Sequence, residues 1–495
     1  MEWLESYDGL GLAQLLADGE LSSTELLERC IARADRFDPA INAIVHRFEQ
    51  RARTLLEAAA PRGRFAGVPF LLKDLMHDIA GEPSSMGSRG IHYVPEQHSE
   101  LVRRYLGAGL IPFGKTNTPE LGLTITTEPK AHGPVHNPWL RGYSAGGSSG
   151  GAAAAVAARI VPLASASDGG GSIRFPAACC GVFGLKPSRG RVPCGPEQGE
   201  SWNGAVASHV ISLSVRDSAA MLDATAGDEP GAPFRIRQPE QSWLDAVARE
   251  PGSLRIGVSK RPVIRAPVHR EALRGLEQTA SLLSDLGHRV EEAEPDFDVD
   301  TLWRDYITVV FGHTAALVHW ALRHGDCKPG LLEPATLGMA RIGRAISAEQ
   351  MVLAEQGWHR LRLSMGRYLA RYDVMLTPTL IGPPVAHGVL TATPGEEFLQ
   401  RVVNHLPVSG MLYRSDLLEQ MLMPVLSQMG FTVSANMTGL PAMSVPLHWT
   451  AEGLPLGMQF TGRMCDEETL YSLAGQLERA RPWFHRRPPL LAQSQ

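Results

Sequence analysis

The sequence predicts an α/β protein whose central sheet is covered by helices on both faces. Three observations carry that expectation. Short apolar runs punctuated by glycine and proline recur from residue 65 onward. Amphipathic stretches with helical spacing alternate with them. A composition of 44% hydrophobic and 20% charged residues over 495 positions belongs to a globular chain rather than a disordered one.

The elements follow in order. Ser22-Ser23-Thr24-Glu25 forms a capping box, and Leu26, Leu27, Cys30, Ile31 and Ala34 follow at helical spacing, so a helix is expected over 22–35. Val68-Pro69-Phe70-Leu71-Leu72 and Leu110-Ile111-Pro112-Phe113 read as buried strands, and Thr118-Pro119-Glu120 as a capped helix start. An alanine-rich helix is expected after Gly151, then a strand from Ile160 to Ser165. Residues 225–242 read as a polar, proline-rich connection, Leu254 to Val258 as a strand and Arg270 to Leu286 as a helix. Gly382 to Gly395, with Pro383, Pro384 and Pro394, reads as a mobile surface loop. Strands at Met443–Leu447 and Gly457–Phe460 flank a turn at Glu452–Pro455, and a last helix is expected from Glu467 to Arg479. No internal repeat is present, which excludes a solenoid.

Composition also bounds the partners. The chain has 47 basic and 52 acidic side chains, a net charge of −5, and so lacks the basic excess of a nucleic-acid binder. Its six cysteines (Cys30, Cys179, Cys180, Cys194, Cys327, Cys465) show no paired spacing with nearby histidine, which argues against a disulfide framework or a structural metal. Cys179-Cys180 reads as two reduced core thiols. The acidic start of the chain lacks the apolar stretch of a signal peptide. The small-apolar run from Ala152 to Ala166 is broken by Arg159 and Pro162 and falls short of a membrane span. A cytoplasmic protein bound to neither membrane nor nucleic acid is expected.

Two motifs compete for attention. Gly109-Leu-Ile-Pro-Phe-Gly-Lys-Thr116 fits the spacing of a phosphate-binding loop, yet its intervening residues are apolar and Pro112 has no N–H to offer a phosphate; a strand ending at Gly114 is the better reading. Gly146-Gly147-Ser148-Ser149-Gly150 fits the nucleophile elbow of α/β-hydrolases, which needs a strand before the serine. The preceding Asn137 to Ala145 looks like a loop, but histidines later in the chain leave an esterase with Ser148 as nucleophile open as an alternative.

The densest chemical signal lies between Ser144 and Val192. Two serines, Ser148 and Ser172, each follow consecutive glycines around one strand and one helix. Three glycines before Ser172 let backbone N–H groups converge into an oxyanion pocket. A serine nucleophile there needs a base, and a buried lysine serves once its pKa falls. Lys73 follows an apolar run and is the candidate, with Ser148 able to pass the proton between them.

The run from Gly146 to Val192, together with Lys73-Asp74 and Gly114-Lys115-Thr116-Asn117, resembles the amidase signature family. The likeness is strong over about 65–215 and returns in Met375–Thr379, Gly439–Ala442 and Gly453–Gln459. The resemblance implies a large mixed sheet with one continuous core, an N-terminal helical region over 1–60, and a catalytic domain over 61–495. Within that domain the signature core is 65–215 and a variable, substrate-facing region 225–430. It implies a Ser–cisSer–Lys triad of Ser172, Ser148 after a cis Gly147–Ser148 peptide, and Lys73. The oxyanion hole would come from Gly169, Gly170, Gly171 and Ser172, supported by Asp168, Arg174 and Ser149. Leu123 to Thr127, including Thr126, would line the acyl pocket, and Tyr306 to His313 would face the substrate. Such an enzyme hydrolyses amides through an acyl-enzyme without metal or organic cofactor.

Thr126-Thr127-Glu128-Pro129, Asn137-Pro138-Trp139, Pro482-Trp483 and Arg486-Arg487-Pro488 resemble the branch holding nylon-oligomer cyclic-dimer hydrolases, near aryl acylamidases and urethanases. The expected substrate is thus a small uncharged aryl amide, cyclic amide or carbamate. A homodimer is an assembly this family allows. A glutamine-hydrolysing amidotransferase subunit working with a partner has the same triad and stays open as an alternative at this point.

Overall fold

In the computed structural model, which describes residues 3–492 except 59, 234, 298 and 325, thirteen strands follow in chain order. They are β1 (Ile44–Arg47), β2 (Pro69–Lys73), β3 (Ile91–His92), β4 (Ile111–Thr116), β5 (Leu163–Asp168), β6 (Phe183–Lys186), β7 (Ala207–Ser212), β8 (Arg255–Val258), β9 (Arg289–Glu292), β10 (Asp326–Cys327), β11 (Val374–Pro378), β12 (Ala442–Trp449) and β13 (Pro455–Gly462). Eleven of them form one sheet in the order β1-β4-β2-β5-β7-β6-β12-β13-β11-β8-β9, flanked by helices. β2 runs parallel to β4 and β5, and β8 parallel to β9 and β11, while the other pairs are antiparallel. The sheet is therefore mixed. Its central strands β2, β4, β5, β6 and β7 are buried along their whole length, which is why they read as unbroken apolar or small-residue runs instead of alternating ones.

The capping box forms as expected: Ser22 Oγ accepts from Glu25 N and Glu25 accepts from Ser22 N. The helix extends past residue 35, Ser23–Ile41, and ends where Asn42 turns left-handed at φ 57°. That turn feeds β1, which pairs antiparallel with β4. The N-terminal segment thus contributes a strand to the sheet edge as well as helices against the core.

Several local expectations shift. The strand expected to end at Gly114 forms as β4 but runs two residues further, to Thr116, burying Lys115 completely. Pro112 lies beside a register shift against β2, where a missing ladder donor is tolerated. The strand expected over 160–165 lies at Leu163–Asp168, which brings Asp168 to its end. Thr118-Pro119-Glu120 yields only a 3-10 turn, Glu120–Gly122, with no side-chain cap. The reason is tertiary: Glu120 is buried and its carboxylate is taken by Ser88 Oγ at 2.5 Å and by the N–H of Glu333 at 2.8 Å. The Gly382–Gly395 segment is tied at its first half, with Ser144 N donating to Val385 O and His387 N to Gly142 O, and its Pro394 begins a helix capped by Thr393. The helix Glu467–Ala480 is followed by a short further one, Pro489–Ala492. Among the described residues no disulfide joins Cys179 to Cys180. Among the described residues no helix is long and apolar enough to cross a membrane.

Candidate active site

β2 and β5 lie side by side and deliver Lys73 and Ser165, Ser167 and Asp168 to one end of the sheet. Lys73 N donates to Ser165 Oγ at 2.8 Å, which fixes the backbone of the lysine. Its Nζ donates to Ser148 Oγ at 2.8 Å and Ser167 Oγ at 3.0 Å. The amine is fully buried, and that burial pushes its pKa down to about 7 against the opposing pull of Asp168. Beside it, His77 Nδ1 contacts Ser165 Oγ at 2.7 Å; burial and the Lys73 and Lys115 amines push this imidazole down to about 3, so it stays neutral.

Ser148 follows a cis Gly147–Ser148 peptide and precedes the helix Gly150–Ala157. Only isolated bridges at Tyr143 and Ser144 lie before it, so the strand that a nucleophile elbow requires is missing. Gly122 passes close by with φ +69°; a Cβ there would meet Leu75 at 2.6 Å and Ser148 Oγ at 3.2 Å, so glycine is needed on both counts. Ser149 Oγ donates to Ser167 O and accepts from Ser167 N, tying this loop to β5.

The glycine loop hangs from Asp168. The Asp168 carboxylate accepts from the N–H groups of Gly171 (2.8 Å) and Ile173 (3.1 Å) and from Arg174 Nε and Nη2, both at 2.9 Å. Arg174 also donates to Gln459 Oε1 (2.6 Å), Asn436 Oδ1 (2.7 Å) and Thr432 O (2.8 Å), and Asn436 Nδ2 returns to Asp168 Oδ1 (2.8 Å). Burial opposes ionisation of Asp168, but Arg174, Asn436 and Lys186 together hold its carboxyl at about 2. Thr432 Oγ1 donates to Gly170 O at 2.6 Å and Tyr306 Oη to Gly169 O at 3.2 Å, which leaves the opposite edge of the loop free. Among the described residues no acceptor takes the N–H of Gly169, Gly170 or Ser172, and Ser172 Oγ makes no hydrogen bond. Gly171 departs from the expected set of oxyanion donors. At φ +132° its N–H is already committed to Asp168, and a Cβ would strike Thr432 Oγ1 at 2.5 Å.

A cavity of about 1480 Å³ opens over this loop, and Ser148, Ser172, Gly169, Gly170, Leu123 and Thr126 line it. Thr127 does not line it. Its hydroxyl donates to Gly146 O and accepts from Gly150 N, bracing the Ser148 turn from behind. Tyr306, Ile307, Val310, Phe311 and His313 reach the cavity from the helix Leu302–His324. Among the described residues no group of three His, Cys, Asp or Glu side chains is placed to hold a metal. Sequence reasoning missed Ser167, Thr432, Asn436 and Gln459. Ser167 and Gln459 lie in stretches already marked by family likeness, whereas Thr432 and Asn436 carry no local signal.

The family described as Amidase matches residues 25–471. The 6-aminohexanoate-cyclic-dimer hydrolases of Pseudomonas sp. (strain NK87) and Paenarthrobacter ureafaciens are 35% and 36% identical, each over 98% of this chain and 97% of its own length. A solved structure of 6-aminohexanoate cyclic dimer hydrolase complexed with substrate superposes with a TM-score of 0.88 at 32% identity, covering 99% of this chain and 100% of that one. A bacterial aryl acylamidase reaches 0.84 at 26% identity over 98% and 99%.

Proposed function

This chain belongs to the amidase signature family and hydrolyses carbon–nitrogen amide bonds, and on that premise we propose that Ser172 is the nucleophile, Ser148 the proton bridge and Lys73 the base. The contact of Lys73 Nζ with Ser148 Oγ, in the cavity that Ser172 shares, carries this reading. A buried amine with a pKa near 7 is neutral for much of the time at physiological pH and has a lone pair to offer. The Ser172 proton passes to Ser148 Oγ as the Ser148 proton passes to Lys73, and Ser172 Oγ attacks the amide carbon. The developing oxyanion is met by the unclaimed N–H groups of Gly169, Gly170 and Ser172; one such donor is worth roughly 10²–10³ in turnover. The proton then returns through Ser148 to the leaving nitrogen, and water repeats the cycle on the acyl-enzyme.

For substrate we propose uncharged amides: cyclic diamides first, then aryl amides and carbamates. The two kinds of relative and the apolar wall of Leu123, Ile307, Val310 and Phe311 support this. Leu123 and Thr126 would face the acyl part, and the reduced Cys179-Cys180 pair suits a reducing cytoplasm. Labelling with a fluorophosphonate followed by peptide mapping tests the assignment. One adduct on Ser172 is expected, and an adduct on Ser148 would overturn it.

A further inference from the structure

Half of the exposed large apolar side chains among the described residues, eight of sixteen, fall between Val389 and Met421, so they form a local surface rather than scatter. Phe398 and Val402 lie four residues apart on the helix Pro394–His405, Leu406 follows directly after its end, and Met411 is 73% exposed on the next helix, Ser409–Arg414. Val389, Leu399, Leu417 and Met421 are exposed and also line the cavity over Ser172, so the apolar surface and the cavity are continuous. The helix Asp416–Leu426 and the 3-10 turn after it make the connection. Leu417, Met421 and Val425 recur at the spacing that keeps side chains on one face of the α-helix, Met429 follows in the 3-10 turn, and all four line the cavity. Exposure falls inward along that row, from 55% at Leu417 and 47% at Met421 to 7% at Met429. Met429 Sδ lies 3.0 Å from where a Cβ on Gly170 would sit, so the row ends against the proposed oxyanion loop. At the helical rise it is about 18 Å long.

We propose that Leu417, Met421, Val425 and Met429 form an apolar rail that binds an extended hydrocarbon chain of the amide substrate, and that the surrounding surface captures such chains from water. This rests on the reading of Ser172 above and narrows it to amides with long apolar arms. The occupant is the substrate because the patch and the cavity share residues: a second copy seated there would cover the mouth. A charged membrane suits it poorly, since residues 394–426 carry four acids against two arginines.

The test compares p-nitroanilides of acetic, hexanoic and decanoic acid, and acetamides with matching N-alkyl chains, below their critical micelle concentrations. kcat/KM should climb roughly fourfold per methylene in at least one series, as burial of a CH2 predicts. The double variant L417Q/M421Q should lower the long-to-short ratio at least tenfold, while V352Q, an exposed apolar residue on another helix, should leave that ratio alone. Calorimetric binding of the same compounds to Ser172→Ala separates the two readings. A chain-length gradient in Kd without Ser172-dependent hydrolysis supports the rail and refutes the catalytic assignment. Hydrolysis with a flat gradient in both series, or a gradient unchanged in the double variant, overturns the rail. So does a dimer that dissociates in Phe398→Gln, or vesicle binding with no chain-length effect.

Discussion

Lys73 draws its chemistry from its surroundings rather than from its type. An exposed lysine is protonated near neutrality and is no base, whereas this one is buried at the end of β2, beside β5, and pushed down to about 7. kcat/KM should therefore rise with pH along an acid limb centred near 7, because only the neutral amine accepts the proton; a flat profile from pH 5 to 8 would refute the assignment. Lys73→Ala should cut turnover by about 10²–10⁴ and Ser172→Ala by roughly 10⁴ or more, both with unchanged far-ultraviolet circular dichroism. The same amine bears on stability. Its folded value lies below the ordinary 10.5, so the unfolded chain binds more protons between about pH 7 and 10.5, and this group makes stability rise with pH across that window. Thr127 acts at the same scale through one hydroxyl: Thr127→Val removes both bonds that brace the Ser148 turn and should cost about 1–3 kcal/mol in chemical denaturation, with a fall in kcat.

Among the elements, the loop from Asp168 to Arg174 shows how a flexible sequence becomes a rigid donor array. Three consecutive glycines are costly to order in isolation, and here the cost is offset by a fully buried ion pair that grips the loop from both ends. Asn436 and Gln459 satisfy what the pair leaves over, so neither charge is stranded. Breaking the pair should be severe. Arg174→Met strands Asp168 and should lose about 3–5 kcal/mol. Asp168→Asn strands Arg174 at a similar cost, but where it folds it also removes the carboxylate that raises the Lys73 pKa, so the acid limb of kcat/KM should move to lower pH. A limb that stays in place would show that Asp168 does not act on the lysine. The loop was legible in its glycines and in Asp168 and Arg174. The diversion of the Gly171 N–H to Asp168 was not, because it depends on a φ of +132° that glycine permits but does not announce.

At the scale of the whole molecule, the site is assembled from distant stretches of one sheet. β2 brings Lys73, β5 brings Asp168, and β13 with the segment before β12 brings Gln459, Asn436 and Thr432. The N-terminal segment belongs to that assembly, since its helix buries Leu26, Leu27, Cys30, Ile31, Ala34, Phe37 and Ile41 and β1 covers the β4 edge. Removing residues 1–47 would strip ten buried Leu, Ile and Phe side chains at about 1.5–3 kcal/mol each, more than typical net stabilities of about 5–15 kcal/mol allow. The truncated chain should lose its cooperative thermal transition, and a truncated protein that melts like the parent would show the segment to be dispensable.

By itself the sequence determined the fold class, the strand cores and the triad candidates. Each depends on local grammar: apolar runs between breakers, paired glycines before serines, and a lysine at the end of a buried strand. The Cys179-Cys180 thiols and most of the strand Ile111–Thr116 were legible for the same reason. Tertiary structure alone decided that Thr118-Pro119-Glu120 stops after one turn, because Glu120 is captured by Ser88 and Glu333 across the fold. It alone turned Thr127 away from the cavity, joined Asn436 and Gln459 to the Asp168–Arg174 pair, and ran a row of apolar residues from the surface to Gly170. Those outcomes depend on contacts between residues far apart in the chain, and short-range patterning carries no record of which distant group will satisfy a buried polar atom.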